Sequence, residues 1–177
     1  MKSGLLLVLA SLLAASPAAA EVKSSSGNGF EVESRIDTAL PPAALYRAFG
    51  DLPRWWSGDH SYSGKAANLS LELKPGGCWC ESLPNGGGVE HMRVAYVEPG
   101  KRLVLTGSLG PLLAEATTGV MQVAIEPTAA GSSLVLNYRA AGFANGGAGK
   151  LAPLVDQVLA IQAKRLAAYA EDLAIRR

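Results

Sequence analysis

Between residues 30 and 38 the chain alternates, with Phe30, Val32, Ser34 and Ile36 on one side and Glu31, Glu33, Arg35 and Asp37 on the other. A period of two is what a strand with one buried face requires. Pro41 and Pro42 stop that strand and open a helix, in which Leu45, Phe49 and Leu52, with Tyr46 beside them, recur at helical spacing. Residues 53–64, carrying Trp55, Trp56, His60 and Tyr62, read as a short helical turn followed by a loop. Alternation returns at Leu69, Leu71 and Leu73, and Pro75-Gly76-Gly77 predicts a tight hairpin into a strand over 78–83. Further strands are predicted over 89–98, 101–107, 116–126 and 132–140, separated by segments rich in Gly, Pro and Asn. Connections this short between successive strands imply an antiparallel meander.

The glycine-rich stretch 142–149 reads as a flexible hinge into a helix over 151–175. There Leu151, Leu154, Val155, Val158, Leu159, Ile161, Leu166, Tyr169 and Leu173 form a wide apolar stripe, while Asp156, Lys164, Arg165, Glu171 and Asp172 lie elsewhere. At about 1.5 Å per residue this helix is about 35 Å long, enough to cross a small sheet. The sheet is the partner available to bury its stripe. The expected fold class is therefore α+β, a curved antiparallel sheet of about six to seven strands wrapped on a long C-terminal helix, with two short helices after the first strand.

The N-terminal end has a different character. Lys2, an apolar run over residues 5–15 and the small residues Ala18, Ala19 and Ala20 before Glu21 are the three parts of a secretory signal, and the run is too short to span a bilayer. Residues 1–20 are expected to be a signal peptide, and 21–29, polar and rich in Ser and Gly, a loose leader. Residues 30–175 are expected to form the folded domain. No cysteine at the cleavage point offers a site for a lipid anchor. The expected location is the periplasm or outside the cell, with no transmembrane span after cleavage. Removing 20 of the 177 residues leaves 157, enough for one domain with a proper core. Cleavage also removes Lys2, leaving 15 basic against 15 acidic side chains. With no net positive field and no basic run, neither nucleic acid nor an anionic membrane surface is an expected partner.

Three segments carry a family resemblance: Leu45-Tyr46-Arg47-Ala48-Phe49 running into Arg54-Trp55-Trp56, the hairpin Pro75-Gly76-Gly77-Cys78-Trp79-Cys80-Glu81, and Val97-Glu98-Pro99-Gly100-Lys101-Arg102-Leu103-Val104-Leu105. In this order the chain resembles the helix-grip START/SRPBCC superfamily, which includes the birch-pollen allergen, and within it the family related to the activator of heat-shock protein 90 ATPase. The likeness spans about residues 30–173. It implies a fold more firmly than a function, since related domains bind lipids or other apolar molecules, cyclise polyketides or act on chaperones. An exported protein meets neither cytosolic chaperone nor ATP, so the ATPase-activating role is not carried over. The resemblance implies a cavity between sheet and closing helix, lined with apolar groups. Trp56, Trp79, Met121 and Tyr138 are its candidate lining, although for Trp55, Trp56 and Trp79 the preferred reading is that they plug the end of the core, with Trp56 and Trp79 the better cavity candidates.

Cys78 and Cys80, the only cysteines, lie two apart on a predicted strand and share a face. In an oxidising compartment they form a disulfide or remain two core thiols, with metal or redox chemistry a third reading. Glu81 shares the other face with Trp79. Outward, it is a solvated carboxylate, the preferred reading; inward, it is a desolvated acid or base. His91 is the second candidate for such chemistry. His60, His91 and Asp59 match no metal-ligand spacing, and no metal or cofactor is expected. No nucleophile elbow is present. The run Ala144-Asn145-Gly146-Gly147-Ala148-Gly149-Lys150 echoes a phosphate-binding loop, but Leu151 stands where a hydroxyl should bind magnesium and no parallel βαβ unit surrounds it. The leading expectation is a binding module for an apolar small molecule or lipid. A cyclase- or hydrolase-type enzyme and a protein-interaction module are the alternatives.

Overall fold

The computed structural model describes residues 19–176. One antiparallel sheet runs in the order β1-β2-β8-β7-β6-β5-β4-β3. Its strands are β1 (Ala19–Ser26), β2 (Gly29–Thr38), β3 (Leu69–Leu71), β4 (Cys78–Ser82), β5 (Gly88–Glu98), β6 (Arg102–Gly107), β7 (Thr117–Thr128) and β8 (Gly131–Gly142). Between β2 and β3 lie α1 (Pro42–Gly50) and α2 (Leu52–Trp55), and α3 (Ala152–Ile175) closes the chain. Strands β3 to β8 form the meander that their short connections dictate. The last of them, β8, returns to pair with β2 in unbroken register from Gly29↔Ala141 to Thr38↔Ser132. This is a helix-grip architecture with eight strands in place of the six to seven expected.

The inward face follows the alternation. Val32 and Ile36 of β2, Leu103 and Leu105 of β6, Met121 and Val123 of β7, and Leu134 and Tyr138 of β8 are all buried against one another. Pro42 sits in the first turn of α1, where its missing N–H costs nothing, and the helix turns Leu45 and Phe49 into the same core.

The sequence assigns α3 a wide stripe of large residues, but the buried seam is narrower and smaller. Leu159, Gln162, Ala163, Leu166 and Ala170 are its buried centre, whereas Leu154 is 62% and Ile161 38% exposed. Alanines at 163 and 170 allow the helix backbone to come close to β2 and β1, the strands it packs on. A close seam leaves the flanking large residues outside.

Two expectations are corrected. Residues 21–29 are not a loose leader: Glu21 to Ser26 belong to an edge strand with β2, with Glu21↔Glu33 and Val22↔Val32 in register and an irregularity between Val22 and Ser24. A polar strand orders here because β2 already presents a row of backbone partners, and an edge strand needs only one side paired. The glycine stretch 142–149 is likewise docked at its end. Ser25 Oγ donates to the Gly149 carbonyl at 2.9 Å, and Ala148 N–H donates to the Gly27 carbonyl at 3.0 Å. The predicted signal segment lies outside the described residues except for Ala19 and Ala20, which open β1. No helix among the described residues is long and apolar enough to cross a membrane.

The docking has a sharp steric requirement, since a Cβ at Gly149 would stand 2.2 Å from the Ser26 carbonyl oxygen. Gly149→Ala is expected to cost about 2 kcal/mol by overpacking. That is a fall of about 6 °C in thermal midpoint. Calorimetry measures it, and an unchanged midpoint would mean that β1 does not hold the glycine turn.

Candidate functional site

The site is built on the β4–β5 hairpin. Alternation along β4 turns Trp79 and Glu81 inward and Cys78 and Cys80 toward the outer face. On that face the two cysteines are bonded as a disulfide, with Cα atoms 5.3 Å apart. An extended strand separates residues i and i+2 by about 6.6 Å, so β4 is contracted here. A ring of three residues removes little entropy from the unfolded chain, about 1.5 kcal/mol.

Opposite this contraction, β5 carries a bulge. Trp79 pairs with Met92 and Cys80 with Glu90, leaving His91 as the extra residue. The consequence is two successive inward side chains, His91 at 4% and Met92 at 0% exposure. Strict alternation would have put His91 on the outer face with Arg93. A second irregularity between Val94 and Tyr96 leaves Ala95 and Tyr96 both outward.

The bulge brings His91 Nε2 to 3.0 Å from Glu81 Oε2. Glu81 is 2% exposed, so the solvated reading preferred from sequence is corrected: it is a buried carboxylate. Its remaining lone pairs accept the backbone N–H groups of Tyr62, at 3.0 Å, and Ser63. Burial pushes the carboxyl up, but the hydrogen bonds from Ser63, Tyr62 and His91 outweigh it and hold Glu81 below the ordinary carboxylate range. Glu81 is therefore ionised at neutral pH, an acceptor to which His91 donates through Nε2–H. The other ring nitrogen, Nδ1, is buried without a partner. A general acid needs a raised pKa and a free face, and Glu81 has neither. Its role is to fasten the segment around Tyr62 to the sheet.

That segment forms one wall of a cleft of about 330 Å³. Trp56, Tyr62, Trp79, Leu109, Pro111 and Val158 supply its apolar surface, with Asp59, His60 and His91 among its polar lining. Trp56 and Trp79 meet edge to face with ring centroids 4.9 Å apart, and Trp56 Nε1–H donates to the His60 carbonyl at 2.9 Å. Trp55 lies in the core behind them, 1% exposed, its indole N–H donating to the Phe49 carbonyl.

Of the four candidate lining residues, Trp56 and Trp79 border the cleft, whereas Met121 and Tyr138 do not. Both are fully buried in the core. Tyr138 supports the cleft from behind, its hydroxyl accepting Leu109 N–H at 3.3 Å. Burial pushes that hydroxyl up to about 12. His60 and His91 both reach the cleft, but no three His, Cys, Asp or Glu side chains among the described residues are grouped to hold a metal ion. Sequence reasoning missed Leu109, Pro111, Val158 and Gln162. Only Gln162 left a signal, as a polar residue on the apolar side of α3, three positions after Leu159 and four before Leu166.

No family model matches the chain. No curated protein matches it either. Solved structures do. A protein from Rhizobium leguminosarum is 19% identical with a TM-score of 0.58, over 88% of this chain and 98% of that one. One from Mesorhizobium loti is 21% identical at 0.57, over 78% and 95%, and one from Chromobacterium violaceum 18% identical at 0.54, over 80% and 96%. At these identities the likeness is one of fold, a curved antiparallel sheet with a C-terminal helix shared with bacterial proteins.

The lowered Glu81 titration fixes the sign of a pH effect. A carboxyl with a folded value below its unfolded one contributes stability above the unfolded value of about 4.3 and loses it as pH falls through the folded one. Glu81→Gln turns an amide NH₂ toward a donor, and at pH 7 the expected loss is about 3 kcal/mol. The gap between wild type and variant should narrow from pH 6 to pH 3 in urea titrations. A gap that stays constant would show that the charge is not what holds the loop.

Proposed function

We propose that this chain is an exported domain of the START/SRPBCC superfamily that binds a compact apolar molecule in the cleft beside Trp56 and Trp79. The observation that carries the reading is the cleft itself, an apolar hollow of about 330 Å³ bordered by Trp56 and Trp79. Small-molecule sites run from about 300 to 1,000 Å³ and are mostly apolar with a few placed polar groups. A volume at the lower end suits a ligand of one or two rings better than a full-length lipid. The bonded Cys78–Cys80 pair supports an oxidising destination, in keeping with the signal-like N-terminus.

The catalytic alternative loses its carboxylate. Glu81 has its lone pairs occupied and is held ionised, and the free nitrogen of His91 is sealed from solvent.

The test is extraction of protein purified from the periplasmic or culture fraction of its own host, followed by untargeted mass spectrometry. The expected result is a near-stoichiometric apolar compound that is lost in Val158→Trp, a variant that fills the cleft while keeping the thermal midpoint. Recovery of no compound, together with no response of tryptophan fluorescence to added naphthalene, would overturn the proposal.

A further inference from the structure

Beside that cleft, and resting on its reading as a ligand site, lies a second arrangement of polar groups. Gln162 projects from the buried seam of α3 and is 1% exposed. It makes two hydrogen bonds to the same loop: Ser57 N–H donates to its Oε1 at 2.8 Å, and its Nε2 lies 2.7 Å from His60 Nδ1. The first bond decides the second. A backbone N–H needs an acceptor, which only the amide oxygen supplies, so the NH₂ faces His60. An amide nitrogen carries protons and no lone pair to offer, so His60 Nδ1 must accept. The neutral ring then carries its proton on Nε2.

The ring is fixed in place by its own backbone, since His60 N–H donates to the Ser57 carbonyl at 3.1 Å and the His60 carbonyl accepts the Trp56 indole. Nε2 lies across the ring from Gln162 and has no hydrogen-bond partner among the described residues, and His60 forms part of the cleft wall. The other histidine at the cleft is committed, its N–H given to Glu81. Asp59, exposed on the same rim, adds a negative charge that disfavours an anionic ligand group.

We infer that His60 Nε2–H, held as a donor by Gln162, is the specificity-determining group of the cleft, and that it selects an apolar molecule bearing a neutral carbonyl oxygen. The carbonyl sits against the ring while the apolar body lies along Trp56 and Trp79. The logic is that of a polar group in an apolar site: a ligand with an acceptor satisfies it, and one without leaves it unpaired.

Three probes with one body separate the possibilities: 2-acetonaphthone, 2-ethylnaphthalene and 2-naphthoate, titrated against tryptophan fluorescence. Wild type is expected to bind the ketone about fivefold tighter than the hydrocarbon of the same shape, the worth of one net hydrogen bond, and tighter than the carboxylate. His60→Phe should remove the preference, weakening the ketone and tightening the hydrocarbon until the two bind alike. Independently of binding, ¹⁵N chemical shifts of the wild-type ring should report the Nε2–H tautomer. In Gln162→Glu, at a pH where the ¹⁵N shifts themselves show a neutral ring, they should report Nδ1–H, with the ketone preference gone. Equal affinity for ketone and hydrocarbon, a tighter carboxylate, a preference that survives His60→Phe, or an Nδ1–H tautomer in wild type would each overturn the inference. Failure of all three probes to bind would instead overturn the cleft as a ligand site.

Discussion

A carboxylate taken out of water must be met by donors, and at Glu81 the donors come from two separate stretches of chain. Tyr62 and Ser63 belong to the loop after α2, and His91 belongs to β5. One buried charge thereby joins loop, β4 and β5 at a single point. The loop it fixes carries His60 and Tyr62 and runs directly on from Trp56, so the cleft exists in this shape because Glu81 is satisfied in this way. Had the acid been a leucine, the loop would lose its anchor to the sheet.

Strand geometry supplies the donor. A single extra residue in β5, opposite the contracted Cys78–Cys80 step of β4, rotates His91 from the outer face to the inner one. The disulfide and the Glu81–His91 hydrogen bond thus lie on opposite faces of the β4–β5 hairpin. Polar connections of this kind recur on the helix side, where Gln162 joins α3 to the backbone of Ser57 and the ring of His60, and Arg165 donates to the Trp55 carbonyl at 2.7 Å. The segment between α2 and β3 has little regular structure of its own. It is positioned by Glu81 from the sheet and by Gln162 and Arg165 from the helix.

The small residues of α3 set the other constraint. Ala163 and Ala170 are buried in the helix, which packs mainly on β2 and β1, and Met121, Tyr138 and Trp55 are buried in the core. The apolar cleft lies at the end of the fold where Val158, Trp56 and Trp79 line it together. The ligand reading is narrowed accordingly, from a long interior cavity to a compact cleft with few polar groups, one of which is a histidine in a fixed tautomer.

The elements themselves were legible in sequence because they rest on local periodicity. The alternation at Phe30 to Ile36, the Pro75-Gly76-Gly77 turn and the helix ending at Ile175 each need only near neighbours to be recognised, and together they determine an antiparallel sheet closed by a helix. The pairing of Trp79 with Glu81 on one face of β4 was equally determined, since it follows from a period of two. Which face points inward was not, because a strand has two sides and only the rest of the protein distinguishes them. The edge strand over Glu21 to Ser26 was invisible for the same reason, its order being lent by β2 and Gly149 and not by its own composition. The inward turn of His91 depends on a bulge defined by two strands at once, and the proton on His60 depends on a helix residue 102 positions away. Contacts of that separation are made by the folded chain, and the chemistry of the cleft was decided there.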